Sequence, residues 1–311
     1  MYHLWSNSPL CYSEPYYNLG LTLYYQNQLD EAYDVFYKAT WSNEQQEMSF
    51  YYLAAIETGR GNLESALELV EKGLVKNAHN IKARGLKAVI LRKLGRKEEA
   101  KAWCIENIKV DPFDYVSRFE LAADAEEAQT ILDEMNELMR DFHESYLQAA
   151  RDYAEAKCYE EAVAILEQCT KEHPMLAYYK AYYYLGNLYY DKLQFEKAKD
   201  WLEKALVYPI NLGEGRLEGT KDNNIYYYLG VVEAELGNTE KAEECFKKAE
   251  LGVDEPAGAM YYYDQPADMI LYKGLANQKL GNKKAAYACF NKLMEYDFNH
   301  QNCRIYLKMV K

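Results

Sequence analysis

Proline is scarce in this chain, 7 in 311 residues, and that scarcity favours long helices over broken or extended structure. No apolar run approaches the roughly 18–20 residues that a membrane span needs. Basic residues are outnumbered, 36 Lys and Arg against 49 Asp and Glu, for a net charge of −13. Such a surface repels phosphate backbones and anionic lipid, so nucleic-acid and membrane-surface binding are excluded as main tasks. The opening 1–15 has neither a basic n-region nor an apolar h-region; no secretory leader is expected and the cytoplasm is the expected compartment. The 7 cysteines (Cys11, Cys104, Cys158, Cys169, Cys245, Cys289 and Cys303) never form a C-x-x-C pair, which reads as free thiols in a reducing compartment. The 5 histidines (His3, His79, His143, His173 and His300) have no partner at metal-ligand spacing, so neither zinc nor any other cofactor is expected. Gly213, Gly215 and Gly219 lack the Gly-Lys-Ser/Thr of a phosphate cradle. With no convergent acid, base or nucleophile in view, the chain does not read as an enzyme.

What is abundant is tyrosine, 32 residues, and self-similarity. Tyr16, Leu19, Gly20, Ala32, Phe36 and Ala39 set a pattern that Tyr182, Leu185, Gly186, Ala198, Leu202 and Ala205 repeat, as do Tyr226, Leu229, Gly230, Ala242, Phe246 and Ala249. Taking the small residue of each first helix as anchor gives Gly20, Ala54, Ala88, Ala122, Ala150, Gly186, Gly230 and Gly274, at intervals of 34, 34, 34, 28, 36, 44 and 44. An alanine follows 12 residues later in every unit but the fourth, which has Glu134. Small residues at fixed spacing let two helices approach closely, with bulky residues filling the gaps. Gly61, Gly95, Gly237 and Gly281, seven past their anchors, mark helix ends in left-handed caps.

A 34-residue period with this signature resembles the tetratricopeptide repeat, a helix–turn–helix unit. The resemblance implies an all-α chain: about eight such units stacked as a right-handed α-solenoid over 13–300, after an N-terminal segment 1–12 and before a capping helix at 301–311. The fourth unit, near 115–142, is short and reads as degenerate. Ten extra residues in each of units six and seven make long loops at 209–222 and 252–266.

In this family the first helices line a concave groove, at the second, fifth, ninth, twelfth and thirteenth positions of each unit. That implies a partner-binding set of Tyr17, Tyr24, Tyr25, Tyr51, Phe119, Tyr183, Asn187, Tyr190 and Tyr227, to which Tyr261 and Tyr262 of the second long loop are added. Tyrosine joins a broad apolar face to a polar tip at little rotamer cost, which suits recognition. Packing between neighbouring helices accounts equally well for the same residues, and Tyr16, Tyr182, Tyr189 and Tyr226 stand at core positions. The Lys and Asn clamp of chaperone-tail-binding members is not matched: Tyr17 and Leu21 stand at its places in unit one, and Asp268 stands where unit eight would need lysine.

The stretch from Tyr33 to Trp41, and Asp254 to Tyr262 with Asp264, Gln265 and Pro266, are similar to a group of bacterial tetratricopeptide proteins in which the repeats follow a large N-terminal domain of unknown function. This resemblance implies a repeat region of a longer protein. The expected function is a non-catalytic scaffold that binds a protein or peptide segment, or the N-terminal domain of its own chain, in a tyrosine-rich groove. The alternatives are a carbohydrate-binding or sensing module, with the tyrosines as stacking platforms, and an accessory region of a larger carbohydrate-related enzyme.

Overall fold

The structure, a computed structural model, describes residues 13–123, 125–185, 194–209, 221–252 and 267–296. All regular structure among these residues is helical, and the helices pair in chain order into antiparallel hairpins. The chain divides into two compact units, Met1–Thr170 and Lys171–Lys311. The first holds α1 (Ser13–Tyr25) and α2 (Leu29–Ala39), α3 (Gln46–Gly59) and α4 (Leu63–Lys76), α5 (Ile81–Lys93) and α6 (Lys97–Val110), α7 (Tyr115–Ala122) and α8 (Ala128–Met139), α9 (His143–Glu155) and α10 (Tyr159–Leu166). The second holds α11 (Pro174–Tyr184) and α12 (Phe195–Ala205), α13 (Asn223–Glu235) and α14 (Thr239–Ala249), α15 (Ala267–Lys279) and α16 (Lys283–Tyr296). The tandem of helix–turn–helix units is the fold class read from the repeat. The expected capping helix, and nearly all of both long loops, lie outside the described residues.

The turns are set by local sequence. In α3 the Asn62 N–H donates to the Glu57 carbonyl (2.9 Å) and the Gly61 N–H to the Thr58 carbonyl (3.0 Å), with Gly61 at φ +80°. This is the paired Schellman closure, which calls for a left-handed residue. Asn27 (φ 58°) and Lys157 (φ 59°) close their hairpins with the same two bonds, so two units carry a side chain where glycine is the unstrained choice. Helix starts are local too: Asn80 and Asp114 accept from the N–H groups of Ala83 and Ser117 at 3.0 and 2.9 Å, and Pro174 opens α11.

Within hairpins, anchor and partner sizes compensate. A Cβ added to Gly20 would stand 2.7 Å from the Phe36 ring, one on Gly230 2.5 Å from Phe246, and one on Gly274 2.4 Å from Phe290. Where the anchor is alanine, the residue 16 further on is smaller: Val70, Cys104, Leu138 or Leu166. The volume missing at one position is thus present at the other, which keeps the interior at close-packed density. Tyr16, expected in the core, is instead exposed; α1 packs on α2 and, more weakly, reaches α3 through rings such as Tyr17 on Tyr52, leaving its Tyr16 face open.

Candidate inner-face site

In the Met1–Thr170 unit three first helices, α1, α3 and α5, converge on the last turn of a further one, α9. The Tyr24 hydroxyl donates to the Glu155 carbonyl, and the Tyr51 hydroxyl donates to Glu155 Oε2 at 2.6 Å. Lys82 Nζ from α5 lies 3.1 Å from both Glu155 carboxylate oxygens and 3.1 Å from Asp152 Oδ1. Burial, then the charge of Glu155, pushes the Tyr24 and Tyr51 phenols well above the ordinary tyrosine range. Burial works against the Lys82 ammonium, yet Asp152 and Glu155 together hold its pKa above the usual lysine value. Burial raises Asp152, with Lys82 as the main opposing influence. One cation therefore serves two carboxylates.

Beside this cluster α5, α7 and α9 enclose a cavity of about 420 Å³. Leu86, Val89, Val116, Ala149 and Ala156 make its apolar walls; Lys82, Asp114, Glu144, Ser145, Gln148 and Asp152 bring the polar groups. A mostly apolar hollow with a few convergent polar groups is the usual form of a binding site. A shallower hollow of about 950 Å³ adjoins it along α7 and α8, sharing Phe113 and Ser145. The Cys158 thiol in the cavity wall is pushed up to about 12 by burial, so it stays protonated at neutral pH and is no nucleophile.

Behind the cavity a second network fixes the helices. Glu120 of α7 receives Arg92 Nε at 2.5 Å and the Tyr153 hydroxyl at 2.8 Å, and Arg92 and Lys93 both pair with Glu161 of α10. Glu120 is a buried anion whose compensation comes from two other helices, α5 and α9.

The sequence-derived set is scattered by this geometry. Tyr24 and Tyr51 are buried under α9, Tyr17 is half-buried against Phe36 and Tyr52, and Tyr25 is 64% exposed. Phe119 packs on Tyr153. In the Lys171–Lys311 unit Tyr183 packs on Tyr179 and Tyr182, and Tyr227 on Tyr228, Phe246 and Tyr272; both are buried. Asn187, Tyr190, Tyr261 and Tyr262 lie outside the described residues. Lys82, Asp152, Ser145, Gln148 and Glu155 were missed. The signal existed for five cavity residues and one neighbour, since Lys82, Val116 and Glu144 hold the second position of their units, Gly85 the fifth, Val89 the ninth and Glu155 the thirteenth. Weighting groove positions by tyrosine passed over the charged ones.

Four segments, 13–46, 81–114, 224–250 and 267–300, match the family model of the tetratricopeptide repeat. No curated protein sequence matches the chain. Among solved structures, a tetratricopeptide repeat protein from Parabacteroides merdae is similar over 96% of this chain and 98% of its own, at 14% identity and a TM-score of 0.37. YrrB, described as a TPR protein with an unusual peptide-binding site, is similar over 77% of this chain and 97% of its own, at 16% identity and a TM-score of 0.33. MamA from Desulfovibrio magneticus is similar over 66% of this chain and 93% of its own, at 15% identity and a TM-score of 0.28.

Proposed function

We propose that the chain, four segments of which match the tetratricopeptide repeat, is a non-catalytic scaffold that holds a segment of a partner protein on the inner face of its Met1–Thr170 unit. The observation that carries this reading is the cavity among α5, α7 and α9. It lies on the first helices of three successive hairpins, is lined mainly by apolar side chains, and opens beside a second hollow. Rigid helices position it, so a ligand would meet a preformed surface and lose little to reorganisation. Of the tyrosines in the sequence-derived set, Tyr25 and Tyr17 are the two in this unit that keep surface to offer a partner. Burial of Tyr24, Tyr51, Tyr183 and Tyr227 removes the open ring faces that sugar stacking needs, which favours a peptide over a carbohydrate.

The test is selection of a random-peptide display library on the full chain, repeated on Gln148→Trp. Gln148 is an exposed lining residue, so the indole fills the cavity mouth without burdening the fold. Peptides that bind the parent and are lost on the variant, at an unchanged melting temperature, support the reading. A selection that yields no such peptide overturns it.

A further inference from the structure

The inner cavity is not neutral. Its lining brings one lysine against three carboxylates, Asp114, Glu144 and Asp152, and that lysine is already shared with Glu155 behind it. Glu144 stands at the rim, half-exposed, and among the described residues its ion-pair partner is the adjacent His143. Such a field is opposite in sign to what a terminal carboxylate or a phosphate requires, and the chain's net charge of −13 draws cations toward it. Hydrogen-bonding capacity is left over as well. Among the described residues the Ser145 and Tyr115 hydroxyls, both in the lining, have no hydrogen-bond partner.

The mouth is aromatic. Phe113 is 59% exposed and Phe142 57%, and Phe113 with Ser145 belongs to both hollows. Two adjoining hollows of about 420 and 950 Å³ exceed what one small metabolite fills and suit a run of several residues. An open phenylalanine face beside carboxylates is a receptor for a Lys or Arg side chain, whose cation meets the ring and whose stem covers apolar surface. The outer hollow carries Arg118 and Arg140 with Glu134 and Glu137, so it is balanced and sets no preference of sign.

Resting on the reading above, we infer that the cavity takes a basic, apolar peptide segment of a partner protein: an aliphatic or aromatic side chain between Leu86, Val89 and Val116, with a neighbouring Lys or Arg against Glu144 and Asp152. Backbone groups of the segment meet Ser145 and Tyr115.

The probe is the same random-peptide library on the full chain, followed by synthesis of a selected peptide and of its copy with each Lys and Arg replaced by glutamine. Binding is measured by fluorescence polarisation at low and high salt against the parent, Asp152→Asn and Glu144→Gln. The expected result is enrichment of Lys or Arg beside an apolar residue, a loss of about tenfold in affinity for the glutamine copy, and a shallower salt dependence on Glu144→Gln. Glu144→Gln changes an exposed side chain and keeps the test sound should Asp152→Asn unfold. Peptides blocked by Gln148→Trp but indifferent to the loss of their basic residues overturn this inference and leave the scaffold reading standing. Absence of any peptide blocked by Gln148→Trp overturns both.

Discussion

Tyr51 and Glu155 stand 104 residues apart in sequence and share a 2.6 Å hydrogen bond in the interior of the Met1–Thr170 unit. The bond joins a neutral donor to a carboxylate, a class worth about 1.5–3 kcal/mol. Tyr51→Phe keeps the ring and removes the donor, leaving Glu155 with Lys82. The expected loss in unfolding free energy is about 2 kcal/mol by urea denaturation. A loss under about 0.5 kcal/mol would show that Tyr51 does not hold α9 in place.

The size compensation between Gly230 and Phe246 makes a quantitative case. Gly230→Ala puts a methyl group against the Phe246 ring and should cost roughly 1–3 kcal/mol as overpacking. Phe246→Leu alone leaves a void and should also destabilise. Combined, the two imitate the Ala150 and Leu166 pair of the fifth hairpin, so the double variant should be more stable than the sum of the single losses predicts by about 1 kcal/mol. Strict additivity in thermal melts would refute the compensation.

Arg92 is the main counter-charge of Glu120, whose side chain is 1% exposed. Arg92→Ala leaves a buried anion with only the Tyr153 hydroxyl, a change that should cost about 3–5 kcal/mol. Adding Glu120→Gln should restore part of it. If Arg92→Ala melts like the parent, the network is ornamental to stability.

Lys157 combines two costs. Its backbone is left-handed, and burial pulls its pKa down to about 8 with the ammonium near the Tyr24 and Tyr159 rings. Lys157→Gly should stabilise by roughly 0.5–1 kcal/mol once the entropy of glycine is subtracted. Asn27→Gly should gain less, because asparagine tolerates this region. The pH dependence has a definite sign. Below about 8 the folded and unfolded chains both carry the Lys157 proton and the folded one bears the burial cost. Between about 8 and the ordinary lysine value the unfolded chain binds more proton, so stability attributable to Lys157 rises with pH. The parent should therefore gain on Lys157→Gly across that window in denaturation midpoints; parallel curves would contradict the shift.

In the fourth hairpin α8 buries only Met135 and Met139, and two successive left-handed residues, Arg140 and Asp141, follow it. Few buried apolar contacts mean a low local opening free energy. Hydrogen exchange should find the amides of α8 among the first to exchange in the Met1–Thr170 unit and those of α3 among the last. Protection of α8 equal to α3 would show that the short unit is no weak point.

The repeat, its helices and its turns were legible because each is a local matter. A left-handed cap favours glycine within one turn of its helix, and a close hairpin sets a small residue against a bulkier one 16 positions on. These constraints act inside about one period of chain, so they survive as spacing that a reader can measure. Even the oddity of the fourth unit was visible as a missing alanine and a 28-residue interval.

Which inward faces stay open was a tertiary decision. Position within the repeat gave Tyr24, Tyr51, Lys82 and Glu155 the same standing as groove residues. Folding buried the two tyrosines under Glu155 and left a cavity beside Lys82, because five hairpins bring α9 back against α1, α3 and α5. The two hydroxyls, the lysine and the carboxylate come from four different units, and no one segment holds the geometry that joins them. A repeat specifies each step between neighbours; whether distant first helices meet depends on the sum of those steps, and that sum exists only in the folded chain.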